Sequence, residues 1–436
     1  MPEIKGPGSE LPKKKKFINE KIVKQPMTRR QLAKRAAAFL FLAALFGVIA
    51  AVTFVLSKPF AERYIGGNGT GESQTISIPK DEETTPAAEP TTEAEEKEST
   101  PISELVKDAV ENYHFDIHDV DDIFNNLKQA GQKANKSIVT VHSVKRQTDW
   151  FDNPIESAGQ YAGAVIAVTD SEILVIVPET ALEAADAIHV TLYDGTELKG
   201  TKKQADKVTG LAVISVKKSE LPKEKLTAIE PFKLGNSYTV KAGDLVLSVG
   251  APLGMPYSFD YGTVHYVARN VQTTDGTTGI MFAGVRGNAD AGTFLLNTAG
   301  EIIGWITDNY ENESNSGTTI AEGISDYKGI LEKMSNGIPV AYLGIKGQEI
   351  TEDMTGDGTP KGIYVYESIS GGPAYSAGIQ NGDIITQMNG EPVLTMKEFQ
   401  ARIEKMDEGQ PVEIVINRNG REEYTELQYQ VVPGAR

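Results

Sequence analysis

Apolar positions take four textures along the chain. Between residues 36 and 56 they are continuous: AAAFLFLAALFGVIAAVTFVL is 21 residues without a charge. At about 1.5 Å per residue such a helix crosses a hydrocarbon core of about 30 Å. One transmembrane helix is expected there, longer than the apolar region of about 7–15 residues in a cleaved signal peptide. Over 57–101 large apolar residues almost vanish, and a Thr, Glu and Pro-rich acidic composition predicts a flexible linker. From Ile102 to about Lys136 the spacing becomes helical behind Ser103 and an acidic first turn, predicting a helical neck over 102–132. Beyond it come short runs such as SIVTVHSV, EILVIV, LAVISV, DLVLSVG and TFLLNTAGEIIGWIT, with DG and AG turns between them. This texture, over 133–330, predicts a β-barrel or sandwich rather than a parallel sheet with crossover helices. The final block, 338–432, mixes strands (GIYVYESI, GDIITQMNG, VEIVINRNGREEYTELQYQ) with helical stretches at 373–378 and 395–406, a compact α+β module.

Charge orients these pieces. The chain of 436 residues has a net charge of −17, which argues against a nucleic-acid binder. Residues 1–35 alone carry +8, leaving −25 for the rest. A basic tail before an apolar span places the N-terminus in the cytoplasm and everything after Lys58 outside, a single-pass protein of the cell membrane. With no cysteine, the chain has neither a disulfide framework nor a thiol nucleophile.

Candidate metal ligands are sparse. His114 and His118 sit four apart without an H-E-x-x-H pattern, which reads as a solvated helix face. Asp353-Met354-Thr355-Gly356-Asp357-Gly358 has acidic spacing, but Tyr364 stands where a calcium loop needs its final carboxylate. His142 and His265 alternate with apolar residues on strands and read as structural, and His189, between Ile188 and Val190, reads as solvent-facing. No metal and no cofactor is expected.

Six segments together carry a family resemblance: AIHVTLYDGTEL (187–198), GLAVISV (210–216), SVGAPLGMPYSFDYGTV (248–264), FLLNTAGEIIGWIT (294–307), AYLGI (341–345) and GGPAYSAGIQNGDIITQMNGEPV (371–393). They resemble the membrane-anchored HtrA serine proteases. The resemblance implies a mostly β fold: a trypsin-like double β-barrel followed by an α+β PDZ domain, preceded here by the transmembrane helix. It implies acyl transfer by Ser, His and Asp, with imidazole taking the proton of the attacking hydroxyl. Matched onto this chain, the His position falls on Thr180, the Asp position on Gly210 and the Ser position on Ala291. No Ser or Cys occurs between Asn270 and Asn297, and no His between Ser143 and Ile188. The triad is therefore read as vestigial, with no catalytic residue assigned. Thr293 is the nearest hydroxyl, and without a base it is a poor nucleophile.

The PDZ positions are intact. The resemblance implies that the amides of Tyr342-Leu343-Gly344-Ile345 receive a peptide's C-terminal carboxylate while the peptide adds as a strand. Met396, Phe399, Ile403 and Met406 form one apolar stripe on a helix, of which Phe399 and Ile403 are the groove candidates. The expected protein is an HtrA-like pseudoprotease that binds exposed C-termini or misfolded exported proteins, in envelope quality control or as a scaffold. The alternative is an active endopeptidase of the same family. Family members are often trimers, so a homotrimer is a further expectation.

Overall fold

The computed structural model describes residues 75–83, 116–148, 154–183, 185–221, 229–312, 315, 317–351, 354, 358–420 and 423–436. The basic tail, the apolar span 36–56, His114 and most of the acidic loop 353–358 lie outside these. Among the described residues no helix is long and apolar enough to cross a membrane.

Strands β1 (Ile138–Thr148), β2 (Pro154–Val168), β3 (Glu172–Pro178), β4 (Ala187–Thr191), β5 (Glu197–Asp206) and β6 (Leu211–Lys217) close a barrel in the order β1-β2-β3-β6-β5-β4. A second barrel closes in the order β10-β11-β12-β9-β8-β7, from β7 (Leu245–Gly250), β8 (Ser258–Thr273), β9 (Gly276–Ala283), β10 (Thr293–Leu296), β11 (Ile302–Ile306) and β12 (Thr319–Gly323). The unbroken apolar runs have a simple cause. In β3, Ile173, Val175 and Val177 fill the first barrel, whereas Leu174 and Ile176 face a core shared by both barrels. In β10, Leu295 points into the second barrel while Phe294 and Leu296 join the shared core. Period-2 alternation survives, but both faces are buried, each large side chain contributing roughly 1.5–3 kcal/mol.

Helix α1 (Ile117–Ala134) opens on a reciprocal cap between Asp116 and Asp119. Its last turns are not a free-standing neck: Ala134 enters the shared core, and the following Asn135 donates to the Tyr257 carbonyl at 2.7 Å. Helix α2 (Lys328–Ser335) closes the same core with Ile330, Leu331 and Met334.

The remaining residues form the PDZ-like unit. Its sheet runs β14-β15-β16-β18-β19, with β14 (Ile345–Glu349), β15 (Ile363–Ser368), β16 (Ile384–Met388), β18 (Val412–Asn419) and β19 (Tyr424–Val431). Short strands β13 (Ala341–Tyr342) and β20 (Gly434–Ala435) pair with each other, and β17 (Glu391–Pro392) pairs with β16. Helices α3 (Pro373–Ala377) and α4 (Met396–Glu404) pack on this sheet, and a Thr395/Glu398 capping box starts α4.

One expectation needs correction. Residues 75–83, inside the acidic segment read as a flexible linker, form a strap on the folded body. Ile76 and Ile78 pack against the shared core. Asn336 exchanges two hydrogen bonds with the Ile76 backbone, at 2.9 and 2.8 Å, and the Ile78 N–H donates to Glu332 at 2.6 Å. Asp81 pairs with buried Lys328 at 2.8 Å, and Lys80 with Glu404 of α4. Two alternating isoleucines, together with these polar contacts, offset the ordering cost within an otherwise polar stretch.

Candidate functional site

The three positions matched above to the triad converge between the barrels. Thr180 lies on the 3₁₀ turn Glu179–Leu182 after β3, Gly210 in the turn before β6, and Ala291 in the turn before β10. The Glu179 N–H donates to the Gly210 carbonyl at 2.7 Å, and the Thr180 hydroxyl to the Asp290 carbonyl at 3.3 Å. Thr180, Gly210 and residues 289, 290, 292 and 293 border one cleft of about 250 Å³. Ala291 itself, partly buried, packs against the shared core. Among the described residues, no Ser or His lines this cleft.

The turn is tied to itself rather than open to an oxyanion. The Ala291 N–H donates to the Asn288 side chain at 2.9 Å, and the Gly292 N–H to the Ala289 carbonyl at 3.3 Å. Thr293, only 2 % exposed, gives its hydroxyl to the Asn288 carbonyl at 2.9 Å and accepts the Asn288 N–H at 3.1 Å. An acyl-transfer site needs backbone donors aimed at empty space where charge develops. Here the N–H of Ala291, the matched Ser position, is committed to Asn288. Asp206, too far in sequence to stand for the triad Asp, is buried and bonded by Thr209, Tyr327 and Arg436 at 3.0, 3.1 and 3.3 Å. It ties the first barrel to the turn ahead of α2 and to the chain end, and among the described residues no His faces it.

The second site is the loop before β14. Its carbonyls are consumed on the PDZ side: Leu343 accepts from Ala374 at 3.0 Å and Gly344 from Ile369 at 2.9 Å. Its N–H groups point the other way and converge on one carboxylate. Leu343 and Gly344 donate to Asp275 Oδ2 at 2.8 and 3.2 Å, and Ile345 donates to Oδ1 at 2.9 Å. Asp275, at the tip of the β8–β9 hairpin, is fully buried, and burial raises its carboxyl above the ordinary range while Arg436 and the three amides oppose that rise. Tyr342, the fourth loop residue, pairs with Gly434 in the β13–β20 ladder. Phe399 and Ile403 are buried in the core of the PDZ-like unit with Met396 and Met406, while Gln400 is the α4 side chain that meets the hairpin, accepting the Thr277 N–H at 3.2 Å.

Residues 158–304 match the trypsin-like peptidase domain family, and residues 341–428 match the PDZ domain family. The chain thus carries, in this order, a segment similar to trypsin-like peptidases and one similar to PDZ domains, the pairing that the HtrA-type relatives below resemble. This HtrA-like chain is 30% identical over 285 residues to the "Serine protease Do-like HtrA" of Bacillus subtilis, covering 61% of this chain and 62% of that protein. It is 29% identical over 246 residues to a "Probable periplasmic serine endoprotease DegP-like" of Pseudomonas savastanoi pv. phaseolicola, covering 55% and 50%. The HtrA-like chain thus spans about half to three-fifths of the length of these curated relatives. Among solved structures, "HtrA-type protease AlgW with decapeptide" covers 70% of this chain and 98% of its own at 20% identity and a TM-score of 0.50, a likeness of fold.

Sequence reading missed Asp275. Its only signal was the Asp-Gly dipeptide between two apolar runs, which marks a hairpin turn but not what the turn touches.

Proposed function

We propose that this protein is a membrane-anchored HtrA-like pseudoprotease whose PDZ domain binds exposed C-termini of peptides or misfolded exported proteins, in envelope quality control or as a scaffold. The observation that carries the binding half is the convergence of three loop amides on one carboxylate, at 2.8, 3.2 and 2.9 Å. Three N–H groups with no competing carbonyl make a receptor for any carboxylate that can reach them, and a peptide C-terminus offers the same two oxygens. The inactive half rests on Thr180, Gly210 and Ala291 at the triad positions and on the internal bonding of the 288–293 turn. Membrane anchoring rests on the apolar span 36–56 behind a basic tail, and trimer formation on the family resemblance alone.

The names of the relatives favour a second reading, an active endopeptidase. Two assays separate them. The full chain is incubated with a fluorophosphonate probe and with casein; no labelling and no time-dependent cleavage are expected, and labelling at a single residue overturns the inactive reading. For binding, a library of peptides with free C-termini is presented to the wild-type chain and to Asp275→Ala; hits that Gly344→Asp abolishes are expected in at least one, and none in either removes the peptide-receptor reading.

A further inference from the structure

We propose that Asp275 is a resident ligand of the PDZ domain: the tip of the β8–β9 hairpin occupies the carboxylate loop in place of a peptide C-terminus, so that the site stays closed until the tip withdraws. This inference rests on reading residues 342–345 as a carboxylate receptor and adds how that receptor is regulated.

The contacts imitate a bound peptide in two respects. The Asp275 carboxylate takes the amides of Leu343, Gly344 and Ile345, and the Asp275 N–H donates back to the Ile345 carbonyl at 2.7 Å. A donor from the chain that bears the carboxylate, paired to the first residue of the edge strand, is the opening rung of strand addition. Both walls of the groove then grip the hairpin. Gln272 of β8 bonds Gln348 of β14 at 3.1 Å, and the Thr277 N–H of β9 bonds Gln400 of α4. A Cβ placed on Gly276 would stand 2.7 Å from Gln400 Oε1, so the tip is seated against the helix. The plug is also latched from behind, because Arg436 donates to the Thr274 carbonyl at 3.1 Å while its guanidinium pairs with Asp206.

An incoming C-terminus needs the same three amides and the same carbonyl, so plug and peptide exclude each other. Beyond the plug, the space between Gln348, Met396, Gln400 and the strap residue Lys80 opens into a cavity of about 650 Å³. Upstream residues of a peptide can seat there first, which gives a ligand contacts that the hairpin lacks and a route to displace it.

The test uses the full chain in three forms: wild type, Asp275→Ala and Asp275→Asn. The isosteric Asn variant keeps the turn while removing the charge, so a folding defect in the Ala variant does not stand in for release. The probe is a pool of fluorescein-labelled random hexapeptides with free C-terminal carboxylates, beside the same pool amidated, read by anisotropy. A tethered competitor at roughly millimolar effective concentration leaves only a minor fraction of sites open. The Ala variant is therefore expected to bind the free-acid pool at least about tenfold tighter than wild type, with the amidated pool unchanged. Hydrogen exchange at the 343–345 amides is measured in parallel and should accelerate in the Ala variant. Equal peptide affinity in all three forms, or unchanged exchange at 343–345, overturns the plug. Faster exchange with no peptide binding in any form upholds the plug and overturns the peptide-receptor reading instead.

Discussion

Gly292→Ala tests whether the turn ahead of β10 is a packing element rather than the remnant of an oxyanion site. Gly292 has φ +87°, a region that costs a side-chain-bearing residue roughly 1–2 kcal/mol. A Cβ there would stand 2.2 Å from the Ala162 carbonyl oxygen, a backbone atom of β2 that cannot swing aside. Relieving that contact shifts β2 or the turn, an overpacking cost of roughly 1–3 kcal/mol. It also strains the 2.7 Å bond from the Ala162 N–H to the Ala291 carbonyl, worth about 1 kcal/mol. The total is about 3–6 kcal/mol. Gly210→Ala is the control: its φ of +71° carries the same conformational cost, but a Cβ meets nothing within 4 Å. Equilibrium urea unfolding followed by Trp305 fluorescence in a Trp150→Phe background measures both, since Trp305 sits in the shared core. A loss at Gly292 no larger than at Gly210 would refute the packing argument.

Three further outcomes are expected. Ala291→Ser should not label with a fluorophosphonate, alone or with Thr180→His, because residue 291 packs against the core and its N–H is held by Asn288; labelling of either variant shows that the turn can still present a nucleophile. Asp81→Ala leaves Lys328, only 4 % exposed, without its carboxylate, and should cost about 3 kcal/mol or more in thermal unfolding while freeing 75–83 to hydrogen exchange; unchanged exchange there would mean the isoleucines alone hold the strap. Burial, with the Asp206 carboxylate adding to it, pushes the Glu322 carboxyl from 4.5 up to about 8. The folded chain keeps a proton that the unfolded chain releases, so this contribution is whole below about 4.5 and fades as pH rises towards about 8. Glu322→Gln, fixed in the neutral form, should lose less stability than wild type across that window, and parallel pH profiles would remove Glu322 as the titrating group.

Much was legible before any coordinates. Apolar runs with turn dipeptides define the barrel strands, the mixed block after residue 338 defines the PDZ-like module, and 271–296 holds no Ser or Cys while 144–187 holds no His. These are local properties: strand period, helix stripe and residue type depend on near neighbours in sequence. Tertiary structure decided the rest. It split the β3 run between two cores, and it set Ala291 against the shared core while its neighbours line the cleft. It docked Ile76 and Ile78 onto a surface built some 250 residues later, against the reading of their acidic surroundings. Above all it brought the Asp275 carboxylate to amides 68 to 70 residues away in sequence. No local pattern encodes such a meeting, because the hairpin and the loop are each self-consistent alone. Only the docking of the second barrel against the PDZ-like sheet sets one buried carboxylate against three unpaired N–H groups, where leaving either side unmatched would carry the full cost of desolvation.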